Sequence, residues 1–510
     1  MRGPHNVIRL IRTGATLERT GAMKVILDAY DAPRLMRMVL RGLVWPFQWL
    51  GEKGDTSMPP ATRALTALGP AYIKFGQVLS TRPDVVGDDL AVQLRVLQDK
   101  LPPFPTEIAK ASVREALDLP VSEVFDEFSE PVAAASIAQV HRARLKDTGE
   151  AVAVKVLRPG IERAFQRDVD AFYFAADMIE FLSPASRRLK PRDVIAHFEG
   201  VVKGELDLRL ESASASEFAA NTANDAGFRL PDVKWAFSAR RVMTMGWAEG
   251  VPLGDNAALD AAGHDRRALG ERVLQLFLSH ALRDGFFHAD MHQGNLKVAA
   301  NGDIIAYDFG IMGYIDEYTR RVYAEILFGF IQRDYKRVAE VHFEAGYVPG
   351  DRDVDEFARA LRAVGEPIFG MDASQISMGR LLSYLFEVTE RFGMETRTEL
   401  ILLQRTMVVV EGVARSLSPH LNIWEVAKPI VEDYIKQSIG PRAVLRDLTK
   451  TARVLARFGP RLPGMVEAML IRQSELDTPQ KKSKPQLWWV LWLLVGVLLG
   501  GGAGLLFAAV

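Results

Sequence analysis

His288-Ala289-Asp290-Met291-His292-Gln293-Gly294-Asn295, followed by Asp308-Phe309-Gly310, is the stretch whose reading decides the fold. In phosphoryl-transfer sites an Asp accepts the proton of the attacking hydroxyl or orients water. An Asn five residues on holds one Mg²⁺, and the Asp of a following Asp-Phe-Gly turn holds the ion that bridges the phosphates. Asp290 and Asn295 have that spacing, and Asp303-Ile-Ile-Ala-Tyr307 reads as a short strand joining the two pieces. A lone Asp-Phe-Gly often sits in an ordinary turn, whereas both motifs in this order, joined by a hairpin-like segment, are specific. They predict Asp290 as the catalytic residue, Asn295 and Asp308 as metal ligands, and ATP/ADP with Mg²⁺ as cofactors. A zinc site is the competing reading, since His288 and His292 are four apart and would share one face of a helix. Against it, no Glu stands beside His288, and Gly294 favours a loop, with His288 bracing that loop.

The chain of 510 residues has room for two to four domains, and 48% hydrophobic content suffices for real cores. A net charge of −1 gives no global attraction to nucleic acid, so none is expected as a partner. The absence of cysteine excludes disulfides, thiolate zinc sites and cysteine nucleophiles. Arg9, Arg12 and Arg19 interrupt any signal-peptide core. Leu487 to Val510 carries no charge and as a helix would be about 36 Å long, against a hydrocarbon core of about 30 Å. Lys481, Lys482 and Lys484 precede it and Trp488 and Trp489 open it, which predicts one C-terminal transmembrane helix in a bacterial-type inner membrane with the large domain cytoplasmic. Gly496, Gly500 and Gly504 recur every four residues, as on a homodimer face or as incidental small residues.

The predicted organisation is an N-terminal segment 1–58, a helical extension 59–130, a small β-rich lobe 131–248, a larger helical lobe 249–340, a helical C-terminal extension 341–473, a polar linker 474–486 and the apolar helix 487–510. The first segment mixes Arg and Lys with aromatic and aliphatic residues, as would a helix lying on a membrane or one packed on the protein. Gly69-Pro70 breaks the helix predicted over 62–79, and 106–117 is again helical. Ala138–Leu145 and Ala151–Val156 flank the turn Asp147-Thr-Gly149 as a hairpin. Helices are predicted over 161–182 and 192–220.

Val152-Ala-Val-Lys155 has the form of the strand whose Lys contacts nucleotide phosphates and pairs with a helix Glu. The Gly-rich loop expected before it is replaced by Ala133-Ala134-Ala135-Ser136-Ile137 leading to Val140, whose methyl groups stand where bare backbone would approach phosphate. Met243-Thr-Met245-Gly-Trp247 is the predicted hinge beside the base.

The Ala-rich loop, Lys74-Phe-Gly-Gln77, Glu205-Leu-Asp207 with Glu211, and the His-x-Asp-x-His-x-Gly-Asn loop together resemble the UbiB family of atypical kinases, associated with ubiquinone biosynthesis. The resemblance covers about residues 70 to 310. It implies an α+β, atypical protein-kinase-like bilobal fold carrying the N-terminal helical extension and the C-terminal transmembrane helix. It also implies that Lys74 and Gln77 close the pocket, that Glu205 pairs with Lys155, and that Asp207 or Glu211 holds Lys74. Implied partners are membrane lipids, ubiquinone precursors and the biosynthetic enzymes. Met291 and Gln293 stand where the family often has prolines, and no Ala-Pro-Glu motif follows Gly310. Three functions fit: an ATP-hydrolysing accessory of ubiquinone synthesis, a true kinase of a protein or small hydroxyl compound, or a nucleotide-binding scaffold.

Overall fold

The computed structural model describes residues 5–29, 34–80, 86–94, 97, 102–182, 190–370, 388, 391–394 and 398–439. The predicted transmembrane helix, its glycines and the linker lie outside these. Among the described residues no helix is long and apolar enough to cross a membrane.

Alternation along one strand sets up the small lobe. In β3 (Ala151–Leu157) Val152, Val154 and Val156 are fully buried while Ala153 and Lys155 are only partly so, the period of two that puts alternate residues on opposite faces. β3 pairs antiparallel with β2 (Ala138–Leu145) and β5 (Val242–Gly246), and β1 (Phe125–Ala134) closes the other edge, giving the order β1-β2-β3-β5. The valine face packs with Val242, Phe125 and Val113, the last from the helix Thr106–Leu117. The opposite face carries Ala153 and Lys155 beside Met245 and Met243, the two methionines being buried in the main core. β1 begins earlier than the predicted lobe boundary at 131. Asp126, Glu127, Ser129 and Glu130 lie on a bulged edge strand, where polar residues are tolerated.

Three helices follow β3 in the chain. Ile161–Leu182 forms as predicted. The helix expected over 192–220 is two, Pro191–Glu205 and Leu208–Thr222. Asp207 ends the first and caps the second by accepting from Arg209 N–H at 3.2 Å, an N-cap that a continuous acidic face would not reveal. The helices Pro60–Leu68 and Pro70–Ser80 break at Gly69 (φ +109°), a backbone that favours glycine. Tyr72 and Phe75 of the second pack edge-to-face and tilted against Phe172 and Phe198, which fixes Pro70–Ser80 over the Pro191–Glu205 helix.

The N-terminal helix His5–Thr20 is packed rather than free. Ala15 and Thr16 are buried, Thr13 Oγ1 lies 2.7 Å from Tyr72 Oη, and Arg9 pairs with Asp168 at 2.6 Å. After the helix Ala22–Ala29, the helix Arg34–Val44 and the turn Trp45–Leu50 instead expose Leu35, Met38, Val39, Trp45 and Trp49.

The large lobe holds a small sheet in the order β4 (Phe228–Arg229), β9 (Ile304–Ala306), β8 (Leu296–Val298), β6 (Val251–Pro252), and a two-stranded pair of β7 (Phe286–His288) with β10 (Met312–Tyr314). Helices Arg266–Ser279 and Thr398–Leu417 pack against each other closely enough that a Cβ on Gly270 would sit 3.0 Å from the Ala414 carbonyl oxygen.

His342, on the helix Tyr335–Glu344, packs between Tyr347 and Phe357 and donates Nδ1–H to the Val338 carbonyl at 2.7 Å. Burial lowers its pKa to about 4. The folded state therefore keeps this ring neutral while the unfolded chain takes up a proton below about pH 6.5. Stability should fall as pH drops from there to about 4, and urea unfolding of His342→Phe should show a shallower loss across that window.

Candidate functional site

Cross-strand neighbours share a face, so Val140, Lys155 and Met243 form one row across β2, β3 and β5, and Arg142, Ala153 and Met245 form the next. From this face Lys155 Nζ reaches Glu211 Oε1 at 2.7 Å and Asp308 Oδ2 at 3.6 Å. Burial alone would lower the Lys155 pKa, but the carboxylates of Asp308 and Glu211 outweigh it and hold the ammonium above its ordinary value. Burial raises Glu211, against the pull of Lys155. Lys155, with help from the Gly310 N–H, holds Asp308 below the usual carboxylate range. Asp308 is thus the carboxylate kept ionised, as a cation ligand must be.

The partners differ from those the resemblance implied. Lys155 pairs with Glu211 rather than Glu205, and Glu205 pairs instead with Lys74, Nζ to Oε2 at 3.1 Å. Asp207 holds neither lysine; its carboxylate is engaged by Arg209 at 2.6 Å. The break at Leu206-Asp207 explains the exchange, because the two glutamates lie on different helices and face different lysines. Gln77 Nε2 reaches the Leu97 carbonyl at 3.5 Å, within the extension.

The loop bearing Asp290 is not helical, and both imidazoles serve backbone groups. His288 Nδ1 accepts from Asp290 N–H at 3.0 Å and His292 Nδ1 from Gly294 N–H at 2.9 Å. Burial lowers the His288 pKa, against the pull of Asp308 and Asp290. The rings brace the loop and do not converge as zinc ligands. Its stiffness, in place of prolines, comes from tertiary contacts. Met291 is buried in the core, Thr406 Oγ1 donates to the Ala289 carbonyl at 3.1 Å, and the Gln293 amide donates to Ser416 Oγ.

Asn295 Nδ2 donates to the Asp290 carbonyl at 3.0 Å and lies 3.3 Å from Asp290 Oδ2. Its amide oxygen is thereby left as the atom suited to a hard cation. Among the described residues no group of three or more His, Asp or Glu could hold an ion alone. One carboxylate and one amide oxygen, completed by phosphate and water, suit Mg²⁺. When bound, that ion would neutralise phosphate charge. Lys155 would meet the phosphates, and Asp290, 39% exposed, can orient water or accept a hydroxyl proton.

Ala133 and Ala134 end β1, and Ala135, Ser136 and Ile137 form the turn into β2. Ser136 is fully buried and its Oγ has no partner among the described residues, an orphaned hydroxyl in the loop where phosphate oxygens are expected. Arg158, which belongs to none of the sequence motifs, pins this loop from behind. Its Nε and Nη2 donate to the Ala135 carbonyl at 3.2 and 3.0 Å, Nη2 donates to the Pro102 carbonyl at 2.9 Å, and the guanidinium lies over Phe104. We expect Arg158→Ala to weaken nucleotide binding about tenfold, the scale of a lost charge-assisted pair, with a smaller effect on turnover at saturating ATP. Titration calorimetry beside steady-state kinetics checks this.

The ABC1 atypical kinase-like domain matches residues 96–342 and the UbiB helical domain residues 361–422. The chain is 41% identical over 414 residues to a probable protein kinase UbiB of Marinobacter nauticus, covering 80% of this chain and 76% of that protein. The namesakes of Pseudomonas putida (40%, over 90% and 86%) and Cronobacter sakazakii (39%, over 89% and 84%) are similarly alike. Among solved structures, the Rv3197–erythromycin complex of Mycobacterium tuberculosis is similar with a TM-score of 0.51 at 26% identity, over 70% of this chain and 90% of that one. With both domains matched in order and relatives this similar over most of its length, the chain belongs to the UbiB family of ABC1 atypical kinase-like proteins.

Proposed function

We propose that this protein is a membrane-attached Mg-ATPase that supports ubiquinone biosynthesis, using its nucleotide cycle to present or extract apolar intermediates for the biosynthetic enzymes. The single observation that carries the reading is that Lys155 holds Glu211 and Asp308, Asn295 holds Asp290, and the two aspartates Asp308 and Asp290 both act on the same buried imidazole, His288, with Lys74 of the extension bound to Glu205. The chain leaves little room between Gly310 and the next helix, which favours water over a peptide as acceptor. It enters β10 at Met312 and the helix Glu317–Gln332 soon after, which leaves no length for a peptide-binding activation segment. Attachment to a lipid surface is supported by the exposed Trp45 and Trp49 beside Arg34 and Arg41, the composition of an interfacial segment, and by the apolar C-terminal stretch of the sequence.

The test is Mg²⁺-dependent phosphate release by purified protein with anionic vesicles, with and without a ubiquinone-headgroup-like phenol, comparing wild type with Asp290→Ala. We expect release that vesicles raise and that the substitution lowers about 10²-fold, as for loss of a general base. Binding of nucleotide with no release under any condition would sink the ATPase reading. Transfer of label to a hydroxyl acceptor in place of release would identify a kinase.

A further inference from the structure

Both peptide planes that flank Asp290 are held. In the preceding one the Asp290 N–H donates to His288 Nδ1 at 3.0 Å, and the Ala289 carbonyl accepts from Thr406 Oγ1 at 3.1 Å. In the following one the Asp290 carbonyl accepts from Asn295 Nδ2 at 3.0 Å and from the His292 N–H at 2.8 Å. With peptides planar, fixing both planes fixes φ and ψ of Asp290, and so the direction in which its carboxylate leaves the backbone. His288, His292 and Asn295 belong to the loop itself, whereas Thr406 lies on the helix Thr398–Leu417, within the helical domain matched apart from the kinase-like one. Thr406 is fully buried, and its hydroxyl shares its proton with the Leu402 carbonyl, 2.8 Å away and one turn back. The same helix grips the loop again, three residues after Asp290. The Gln293 amide donates to Ser416 Oγ, which donates in turn to the Val413 carbonyl at 2.7 Å. Gly254 stands against Gln293, where a Cβ would come within 2.9 Å of Gln293 Oε1. Asn256, two residues on, donates its amide to the Ser416 carbonyl at 3.2 Å.

We propose that Thr406 and Ser416 are positioning residues of the phosphoryl-transfer site, through which the helical domain aims the Asp290 carboxylate. The inference rests on the reading that Asp290 serves phosphate release. A group that orients water or takes its proton works only in near-attack geometry, and a misplacement of about 1 Å can cost about 10²-fold in rate. Thr406 is sealed in the core, so it acts through the Ala289 carbonyl and not on a ligand. The second grip is replaceable. Gln293 opens the turn Gln293–Asn295, and His292 before it is extended (φ −80°, ψ 162°). Both are conditions under which a proline fits, so a ring in the backbone can take over the stiffness that the Gln293–Ser416 contact supplies.

The experiment measures single-turnover phosphate release at saturating Mg-ATP, with nucleotide affinity by calorimetry and urea unfolding alongside, on the full-length protein. Ser416→Ala and Thr406→Val should each slow release about tenfold, the scale of one lost hydrogen bond, with nucleotide affinity unchanged. In an Asp290→Ala background no carboxylate is left to aim, so neither change should slow release further. Gln293→Pro should restore release to Ser416→Ala. Should Thr406→Val not fold, the partly exposed Ser416 carries the comparison with its proline rescue. Wild-type rates in both single variants, or the same slowing in the Asp290→Ala background, overturn the proposal and leave the two hydroxyls as packing between helix and loop. Absence of rescue by the proline removes Ser416 from it. A wild type that releases phosphate no faster than Asp290→Ala fails the reading of Asp290 itself.

Discussion

Asp308→Asn should reduce Mg²⁺-dependent phosphate release by at least about 10³-fold, the scale at which a charge-stabilising group is lost from a phosphoryl-transfer site. The fold should hardly notice. Asp308 is 44% exposed and 3.6 Å from Lys155, whereas Glu211 at 2.7 Å remains to neutralise the ammonium. Loss of a half-exposed pair is worth under about 1 kcal/mol. Phosphate release measured beside chemical unfolding separates the roles. Unaltered release removes Asp308 from the metal site, and a matching collapse of stability makes it structural.

Lys155→Met should be the most damaging single change to the fold of the small lobe. It strands the nearly buried Glu211 carboxylate, and breaking such a pair costs about 3 kcal/mol. The sign of its pH dependence is informative. Burial already raises the Glu211 pKa, and without Lys155 the Phe309 backbone is left to pull it down. A carboxylate whose folded pKa is raised gives stability at low pH that is lost as pH rises above the unfolded value of about 4.3. The variant should therefore be more stable near pH 5 than near pH 8 in urea unfolding. Lys155→Met combined with Glu211→Leu should recover much of the loss, since an apolar pair can replace a buried ionic one. Equal damage in the double variant would show that the lysine stem, not the charge, matters.

How far these groups could be read from the sequence depended on how local their signal was. The hairpin bearing Lys155, the helices Thr106–Leu117 and Ile161–Leu182, and the non-helical Asp290 loop are punctuated by Gly, Pro and Asp, which act within a few residues. The exchange of partners between Lys74 and Lys155 was not legible, since Glu205 and Glu211 are six apart and only the break at Leu206-Asp207 decides which way each faces. Arg158 was missed for another reason. Its partners Ala135 and Pro102 are remote in sequence and are engaged through backbone carbonyls, which leave no residue-type signature.

The break between Pro191–Glu205 and Leu208–Thr222 gives each lysine its own support. Lys74 answers to a glutamate on the first helix and Lys155 to one on the second, so a substitution that severs Lys74–Glu205 leaves the Lys155–Glu211 contact standing. The Pro70–Ser80 helix would still be seated by the rings of Tyr72 and Phe75. Damage to one pair is thus insulated from the other, and the two can be altered separately.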